Sequence, residues 1–375
     1  MSCADLSEVL GKSVPLVAKA LNELVKSGHI VEKGFAPSSG GRRPLVYSLK
    51  PNDMFIVAVG MDQLFTKITI VDLLKNPILP IETHELKLHN NNDALPGLIR
   101  IIENAIERSG VDSTKIIGVG IGMPGFVNTT LGINYSYLST NSKESLSDYL
   151  ERSLQMPVYI DNDSSMIALA ELKFGLARQV ENVMVMNIGW GIGLGMIIHG
   201  ELFRGHTGYA GEFSHMPIFD TDILCECGKR GCLETEASLL VVAKKAMEEI
   251  KHGKVSRMEA KDSYEEMCTS VMIAANKGDQ TAIELLSDMG YKIGKGLAIL
   301  IHLVNPELIV LSGRGADVGK ILMAPIQQAL NKYSIPRLAE NTELKVSGLG
   351  HDAELIGAAA LVMENFGEKV YQPAT

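Results

Sequence analysis

Residues 211–237 constrain the fold of this chain more than any other stretch, because they concentrate potential metal ligands in one loop. Three of the five cysteines, Cys225, Cys227 and Cys232, lie within eight residues, and His215 lies ten residues upstream of the first. Three thiolates and an imidazole at this spacing form a complete tetrahedral set for zinc, with no position left open for a substrate. The sequence therefore predicts a structural zinc site. The alternative is that these are ordinary buried thiols in a reduced protein.

Two glutamates flank the predicted metal ligands and carry a resemblance to a known family. The pattern G-E-x-x-H followed by C-x-C-G-x-x-G-C-L-E resembles the signature of the ROK family of sugar kinases and repressors. The resemblance implies that Glu212, His215 and Glu234 reach sugar hydroxyls, while His215 and the three cysteines hold zinc. Carboxylates accept hydrogen bonds from hydroxyl groups, and a metal that fixes the loop would orient them.

Three further motifs extend the resemblance over nearly the whole chain. They are GMPGFVN at 122–128, DND at 161–163 and GGRRP at 40–44, of which the last points to the repressor branch of the family. ROK proteins have a two-lobed α/β fold of the actin-like ATPase (ribonuclease H-like) type. The resemblance therefore predicts this fold, with a ligand cleft between the lobes.

The DND motif is the candidate for kinase-type chemistry. In the family's kinases the aspartate matching Asp163 is the general base that deprotonates the attacking sugar hydroxyl, and the asparagine matching Asn162 binds the sugar. A hydroxyl is a poor nucleophile at neutral pH, so a positioned carboxylate removes its proton as charge develops. Taken alone, D-N-D is more common as a turn or helix cap. The interpretation of Asp163 as a vestigial base therefore depends on its context.

The residues that contact ATP phosphates in ROK kinases are altered in this chain. The kinases place D-x-G-G-T-K in the first hairpin, where two glycines let backbone N–H groups approach the phosphates, but residues 62–67 read DQLFTK. The second loop, G-T-G-x-G-x-G, has become GWGIGLG at 189–195, and the adenosine-side motif is reduced to SGRG at 312–315. Bulky residues restrict such turns and fill phosphate space. We therefore predict a degenerate nucleotide site that does not use ATP, formed by Asp62, Leu64, Phe65, Thr66, Trp190, Gly191 and Gly313.

Residues 1–52 are predicted to form a winged helix-turn-helix domain. Helices are expected over 4–10 and 14–27, and strands over 29–33 and 45–49, with PSSGGRRP as the tip of the wing. The second helix of such a domain enters the major groove, and a basic wing can reach phosphates or a narrow minor groove. The candidates for DNA contact are Ser13, Pro15, Lys19, Asn22, Arg42 and Arg43. The alternative is that the wing is a solvated basic loop.

The predicted head lacks the helix that generally precedes the helix-turn-helix pair. Leu6, Leu10 and Leu21 would then lose part of their cover. We expect either that the natural start lies upstream or that the head is only partly ordered.

Patterns of apolar residues predict an α/β body whose strands and helices form two similar halves. The predicted division is a first lobe of residues 53–165 with about 355–375, and a second lobe of residues 166–354 that contains the zinc site. Helices predominate from residue 238 onward. The predicted strands are 54–60, 67–73, 116–121, 158–160, 183–188, 193–198 and 308–311, and the predicted helices include 95–109 and 165–175.

Charge is unevenly distributed between the head and the body. Residues 1–50 contain seven Lys or Arg against four Asp or Glu, whereas the remainder contains 28 against 40. A basic head on an acidic body favours a nucleic-acid-binding module attached to a small-molecule domain. The chain has no run of about twenty apolar residues and no signal-peptide pattern, so we expect a cytoplasmic protein with no membrane partner.

These features together predict a sugar-responsive transcriptional regulator, acting as a repressor of carbohydrate metabolism genes without phosphorylating its ligand. The expected partners are operator DNA, a sugar or sugar-phosphate effector, and further copies of the chain in a homodimer or tetramer. Two alternatives stay open. One is an ATP-dependent ROK sugar kinase with a DNA-binding appendage, and the other is an interaction scaffold that has lost both activities.

Overall fold

The head has the two helices and two strands that the sequence predicts. The structure, a computed structural model, describes residues 1–36, 43–140 and 143–366 of the 375-residue chain. Strands β1 and β2 pair antiparallel. Each predicted boundary agrees with the observed one to within two residues. The elements of the head are α1 (Cys3–Leu10), α2 (Val14–Ser27), β1 (Ile30–Phe35) and β2 (Leu45–Leu49).

Local sequence signals explain where the two helices of the head begin and end. Ser2 and Asp5 form a capping box at the start of α1, and Gly11 ends it with φ +59°. The small core of the head contains Val17, Leu21 and Ile30. The expectation that Leu21 would lose cover is wrong, since packing in this core leaves it only 6% exposed. Leu10, by contrast, is 57% exposed.

The body contains two five-stranded mixed sheets with the same pairing pattern. The strands are β3 (Phe55–Met61), β4 (Phe65–Asp72), β5 (Pro77–Glu85), β6 (Ile116–Met123), β7 (Val127–Asn128), β8 (Ile133–Asn134), β9 (Val158–Asn162), β10 (Val183–Ile188), β11 (Ile192–Ile198), β12 (Glu201–Leu202), β13 (Leu308–Ser312) and β14 (Glu343–Val346). The strand orders are β5-β4-β3-β6-β9 and β12-β11-β10-β13-β14, while β7 and β8 pair with each other in a separate two-stranded ladder. Each sheet joins an antiparallel meander to two parallel strands. The predicted α/β architecture of two similar halves is confirmed.

Helices cover the sheets and connect them. The helices of the body are α3 (Ala94–Ser109), α4 (Leu146–Leu154), α5 (Asp163–Phe174), α6 (Glu234–Ala237), α7 (Leu239–Lys251), α8 (Tyr264–Asn276), α9 (Gln280–Val304), α10 (Gly319–Tyr333), α11 (Pro336–Ala339) and α12 (Ala353–Asn365). Helix α5 packs against the second sheet and α12 against the first. The two helices meet at Gly357, where an added Cβ would lie 1.9 Å from the carbonyl oxygen of Met166. This close approach fixes the two sheets relative to each other.

Sequence patterns did not predict several elements of the body, among them β5, α4 and β14. Strand β5 lies at a sheet edge and contains Pro77 and Pro80, which argue against a strand in a sequence but are tolerated at an edge. Helix α4 has a detectable signal, because Leu146, Leu150 and Leu154 are buried at a four-residue spacing. Among the described residues, no helix is both long and apolar enough to cross a bilayer.

Candidate functional site

A cleft of about 530 Å³ lies between the two halves of the body. Its lining comes from turns that follow strands of both sheets and from the loop that carries the cysteines. The residues predicted to bind sugar all line the cleft, and we call this region the sugar side: Asn162, Asp163, Glu212, His215 and Glu234. The nucleotide side consists of the turns at 62–67, 189–195 and 312–315, which also contribute to the lining.

Asp163 lies at the first turn of α5, where Asn162 is the N-cap. The Asn162 side chain accepts hydrogen bonds from the N–H groups of Ser164 and Ser165, and its amide nitrogen donates to the Gly125 carbonyl at 3.2 Å. The helix-cap alternative is therefore correct for Asn162, and the cap also fixes the position of Asp163. Burial raises the pKa of Asp163 to about 6, against hydrogen bonds from Ser164 that lower it. A carboxyl group with this pKa can exchange protons near neutral pH.

The remaining carboxylates of the sugar side come from the cysteine-containing region. Burial raises the pKa of Glu212 to about 7, and the nearby charges of Asp163 and Glu234 add to this effect. Burial also raises the pKa of Glu234, which accepts a hydrogen bond from the N–H of Ile192 at 3.3 Å. Such closely spaced carboxylates favour ligands that donate many hydrogen bonds, as a polyhydroxylated sugar does.

His215, Cys225, Cys227 and Cys232 form one compact cluster, with their ligand atoms all within 4.8 Å of one another. The Sγ atom of Cys225 lies 3.4 Å from Nδ1 of His215, and the Sγ atoms of Cys227 and Cys232 are 3.6 Å apart. In a tetrahedral zinc site with bonds of about 2.0–2.3 Å, neighbouring ligand atoms are separated by roughly 3.3–3.8 Å. The donor set and its spacing therefore fit a metal ion.

The cluster is joined to the cleft through His215. Its Nδ1 faces the cluster, while its Nε2 lies 3.7 Å from Oε2 of Glu212. The loop closes tightly behind the cluster at Gly231, where φ is +75° and an added Cβ would lie 2.0 Å from the Phe219 carbonyl oxygen. The position of the imidazole in the cleft therefore depends on the geometry of the cluster.

On the nucleotide side, the first turn is closed by its own aspartate. One carboxylate oxygen of Asp62 accepts hydrogen bonds from the N–H groups of Leu64 and Phe65, at 2.8 and 2.7 Å. Phe65 lines the cleft as expected, whereas Leu64 is not among the residues that line it. Thr66 is fully buried. Its hydroxyl is therefore withdrawn from the cleft.

A cation and an indole occupy the rest of the nucleotide side. The guanidinium of Arg314 lies 5.1 Å from the ring centre of Trp190, which is only 7% exposed. The same guanidinium lies 3.4 Å from Glu265 and 3.9 Å from Asp62. Gly191 and Gly313 also line this region. In the sequence Arg314 is only part of the reduced SGRG motif, since nothing local predicts its stacking on a residue 124 positions away.

Sequence reasoning also missed four acidic or aromatic groups at the cleft. Tyr137, Glu226 and Glu354 line it, and Glu354 accepts a hydrogen bond from the N–H of Met61 at 2.9 Å. Burial raises the pKa of Glu354 well above its usual value. Just behind the cleft, the buried Asp161 pairs with Arg204 through two hydrogen bonds. Asp161 and Glu226 lie in recognised motifs, DND and C-x-C-G, whereas Tyr137 and Glu354 lie in none.

The candidates for DNA contact that the structure describes, in and around α2 and before β2, are all exposed to solvent. Ser13, Pro15, Lys19 and Asn22 are all exposed, as is Arg43 at the start of the segment that leads into β2. Exposure is required of residues that contact DNA. Arg42 lies outside the described residues.

Comparisons with known proteins agree with this description. The ROK family sequence model matches residues 67–365. A xylose repressor from Caldicellulosiruptor bescii is 29% identical over 373 residues, covering 97% of this chain and 92% of the relative. A glucokinase from Halalkalibacterium halodurans is 34% identical over 278 residues, covering 72% of this chain and 84% of that protein. A crystal structure of a ROK family transcriptional regulator, homologous to the Escherichia coli MLC protein, superposes with a TM-score of 0.78 at 26% identity, covering 98% of this chain and 92% of the other.

Proposed function

Since the chain belongs to the ROK family, we propose that it is a sugar-responsive transcriptional repressor that binds its sugar without phosphorylating it. The observation that carries this proposal is the contrast between the two sides of one cleft. The sugar side has its full set of polar groups, whereas Asp62 and Arg314 occupy the nucleotide side. The xylose repressor and the ROK regulator structure support the proposal, because each aligns with nearly the whole chain.

The second candidate is an ATP-dependent sugar kinase. Two observations favour it, namely the 34% identity to a glucokinase and the position and pKa of Asp163, which suit a general base. Catalysis of phosphoryl transfer requires that backbone N–H groups and cations hold the nucleotide phosphates. Because Asp62 already takes two such N–H groups, the regulator is the better-supported function.

We propose that the cluster of three cysteines and His215 holds zinc. Zinc in a four-ligand site has no open position, so it would supply a rigid cross-link and no catalytic chemistry. His215 would face the metal through Nδ1 and the sugar through Nε2, while Glu234 follows Cys232 by two residues. The metal would thereby hold two sugar-contacting side chains in position.

DNA binding is proposed to occur through the head, with α2 as the recognition helix. Two heads in a homodimer or tetramer would contact two half-sites of a palindromic operator. The sugar can change operator affinity only if it binds better to one arrangement of the heads than to the other. The coupling is therefore a measurable free-energy difference, separate from sugar binding itself.

One experiment distinguishes the two candidate functions. The full-length chain is incubated with Mg-ATP and a panel of pentoses, hexoses and amino sugars, and ADP release is compared with that of an Asp163→Asn variant. We expect no sugar-dependent ADP release, and a change in operator affinity with at least one sugar. A Lys19→Ala variant serves as the DNA-binding control. Sugar-dependent turnover that Asp163→Asn abolishes would establish the kinase instead.

Sugar affinity is expected to rise with pH, by about tenfold between pH 5 and pH 7. The pKa of Asp163 is raised to about 6, so this carboxyl becomes the stronger, ionised hydrogen-bond acceptor as the pH passes 6. Titration calorimetry measures the affinity, with the fluorescence of Trp190 as a second signal, since it is the only tryptophan and lines the cleft. The Asp163→Asn variant should bind more weakly and keep only the smaller slope that Glu212, with a pKa of about 7, contributes. An equal slope in that variant would show that another group is responsible.

A further inference from the structure

At two turns of the cleft, carboxylate side chains of the protein accept hydrogen bonds from backbone N–H groups. From these contacts we infer that the cleft accepts an unphosphorylated sugar and excludes sugar phosphates and nucleotides. The inference rests on the proposed function, because it names the chemical class of the effector that the regulator binds. Sugar phosphates and nucleotides share the group that matters here, a phosphate with one or two negative charges.

At the first turn, Asp62 occupies the place of an anion. Its Oδ1 atom accepts from the N–H groups of Leu64 and Phe65 at 2.8 and 2.7 Å, and successive N–H groups that converge in this way form an anion-binding nest. Its Oδ2 atom lies 3.9 Å from Nη2 of Arg314. A phosphate could use these donors only by displacing the carboxylate of Asp62.

At the second turn, Glu234 lies directly against the backbone. Its Oε2 atom accepts from the N–H of Ile192 at 3.3 Å, and an added Cβ on Gly191 would lie 2.4 Å from the same oxygen. The N–H of Gly189 donates to the carbonyl of Gly191 at 2.9 Å. The N–H groups of Ile192 and Gly189 in this turn are thus already hydrogen-bonded within the protein.

The cations of the cleft are also engaged. Among the described residues, the lysine and arginine side chains that line it are Lys67 and Arg314. Lys67 donates to the carbonyl of His351 at 3.1 Å and lies 3.7 Å from Asp352. Arg314 is shared between Glu265 and Asp62. Either cation would have to leave a carboxylate partner in order to bind a phosphate.

The net charge of the sugar side adds to this exclusion. Three carboxylates belong to the sugar side and Glu226 lines the cleft beside them, and none of the four has a lysine or arginine partner in the described part of the chain: Asp163, Glu212, Glu226 and Glu234. Hydroxyl groups can donate to these oxygens, whereas a phosphate would be repelled by them. Like charges placed together in a binding site cost enough to weaken affinity by about a hundredfold or more.

The test compares free sugars with their phosphates on the full-length protein. Titration calorimetry is performed with glucose, N-acetylglucosamine and xylose, and with glucose 6-phosphate, N-acetylglucosamine 6-phosphate and xylose 5-phosphate. The variants are Asp62→Ala, which frees the N–H groups and Arg314, and Asp62→Asn, which keeps an acceptor but removes the charge. The matched control is Asp112→Ala, because Asp112 also accepts a turn N–H, that of Thr114 at 3.0 Å, but does not line the cleft.

We expect at least one free sugar to bind about a hundredfold more tightly than its phosphate. Asp62→Ala should reduce that ratio by about tenfold or more, Asp62→Asn by less, and Asp112→Ala not at all. A phosphate that binds the unaltered protein as tightly as the free sugar would overturn the inference and leave the proposed function standing. If only a phosphate binds, the inference fails alone, whereas binding of neither the free sugars nor their phosphates would contradict the proposed function as well. If Asp62→Ala leaves the ratio of free-sugar affinity to phosphate affinity unchanged, Asp62 is not the cause of the phosphate exclusion.

Discussion

Replacing Cys227 with serine is expected to remove the proposed zinc ion and most of the sugar affinity together. Cys227 is one of the four residues proposed to bind zinc, and its Sγ atom lies 3.6 Å from that of Cys232. A structural zinc contributes directly to the folding free energy, and removal of a residue that orients a ligand costs about 10–100-fold in affinity or activity. Zinc content should fall from about one per chain to near zero. Sugar affinity should fall by at least about tenfold, because His215 and Glu234 lose their anchor.

The measurements for this variant are metal content by mass spectrometry and sugar affinity by calorimetry. Cys3→Ser is the matched control, since Cys3 is a partly exposed thiol of the head and not a member of the cluster. The control should keep both zinc and sugar binding. A Cys227→Ser protein that lacks zinc but binds sugar normally would show that the metal and the sugar site are independent.

Replacing Arg204 with alanine is expected to destabilise the protein by about 3–5 kcal/mol. Arg204 donates two hydrogen bonds, at 2.9 and 2.7 Å, to Oδ2 of Asp161, whose side chain is only 3% exposed. Without the guanidinium, a carboxylate at the end of β9 would be buried and uncompensated. The free energy of unfolding, measured by chemical denaturation, reports the loss.

The size of this loss should depend on pH. Burial raises the pKa of Asp161, and the charge of Arg204 opposes that rise, so the pKa goes up further in the variant. The native variant then holds its proton more tightly than the unfolded chain, whose aspartates have a pKa of about 3.9. Both proteins therefore lose stability as the pH rises above this value, but the variant goes on losing it above the folded-state pKa of Asp161 at which the unaltered protein levels off, so the deficit should be larger at pH 8 than at pH 5.

Two further variants complete the test. Arg152→Ala removes a similar two-bond pair with Glu144 on the surface, where solvent screens the charges, and should change stability little. Adding Asp161→Asn to Arg204→Ala should recover part of the stability and flatten the pH dependence, since a neutral amide needs no counter-ion. An Arg204→Ala deficit that does not vary with pH would indicate that lost packing, not the unpaired charge, is responsible.

Much of the fold and of the candidate site could be predicted because the relevant signals are local. Strands β3, β6, β10 and β13 are short apolar runs, and the observed boundaries lie within two residues of the predicted ones. The four-residue cluster also follows from spacing, since Cys225, Cys227 and Cys232 lie in one loop. Strand β5 was missed because its prolines are compatible with a strand only at an edge, and a single sequence does not show which strand is at an edge.

The sequence alone determined the ligand set of the cluster, the helix-turn-helix pattern of the head, and the position of Asp163 at the start of a helix. Only the tertiary structure decided how the nucleotide side is filled. Arg314 reaches Asp62 and Trp190 across the cleft, and Arg204 reaches Asp161, through contacts between residues far apart in the chain. The physical reason is that metal-ligand spacing, capping and periodicity act within a few residues. A buried charge, in contrast, takes its partner from whichever element the fold places beside it.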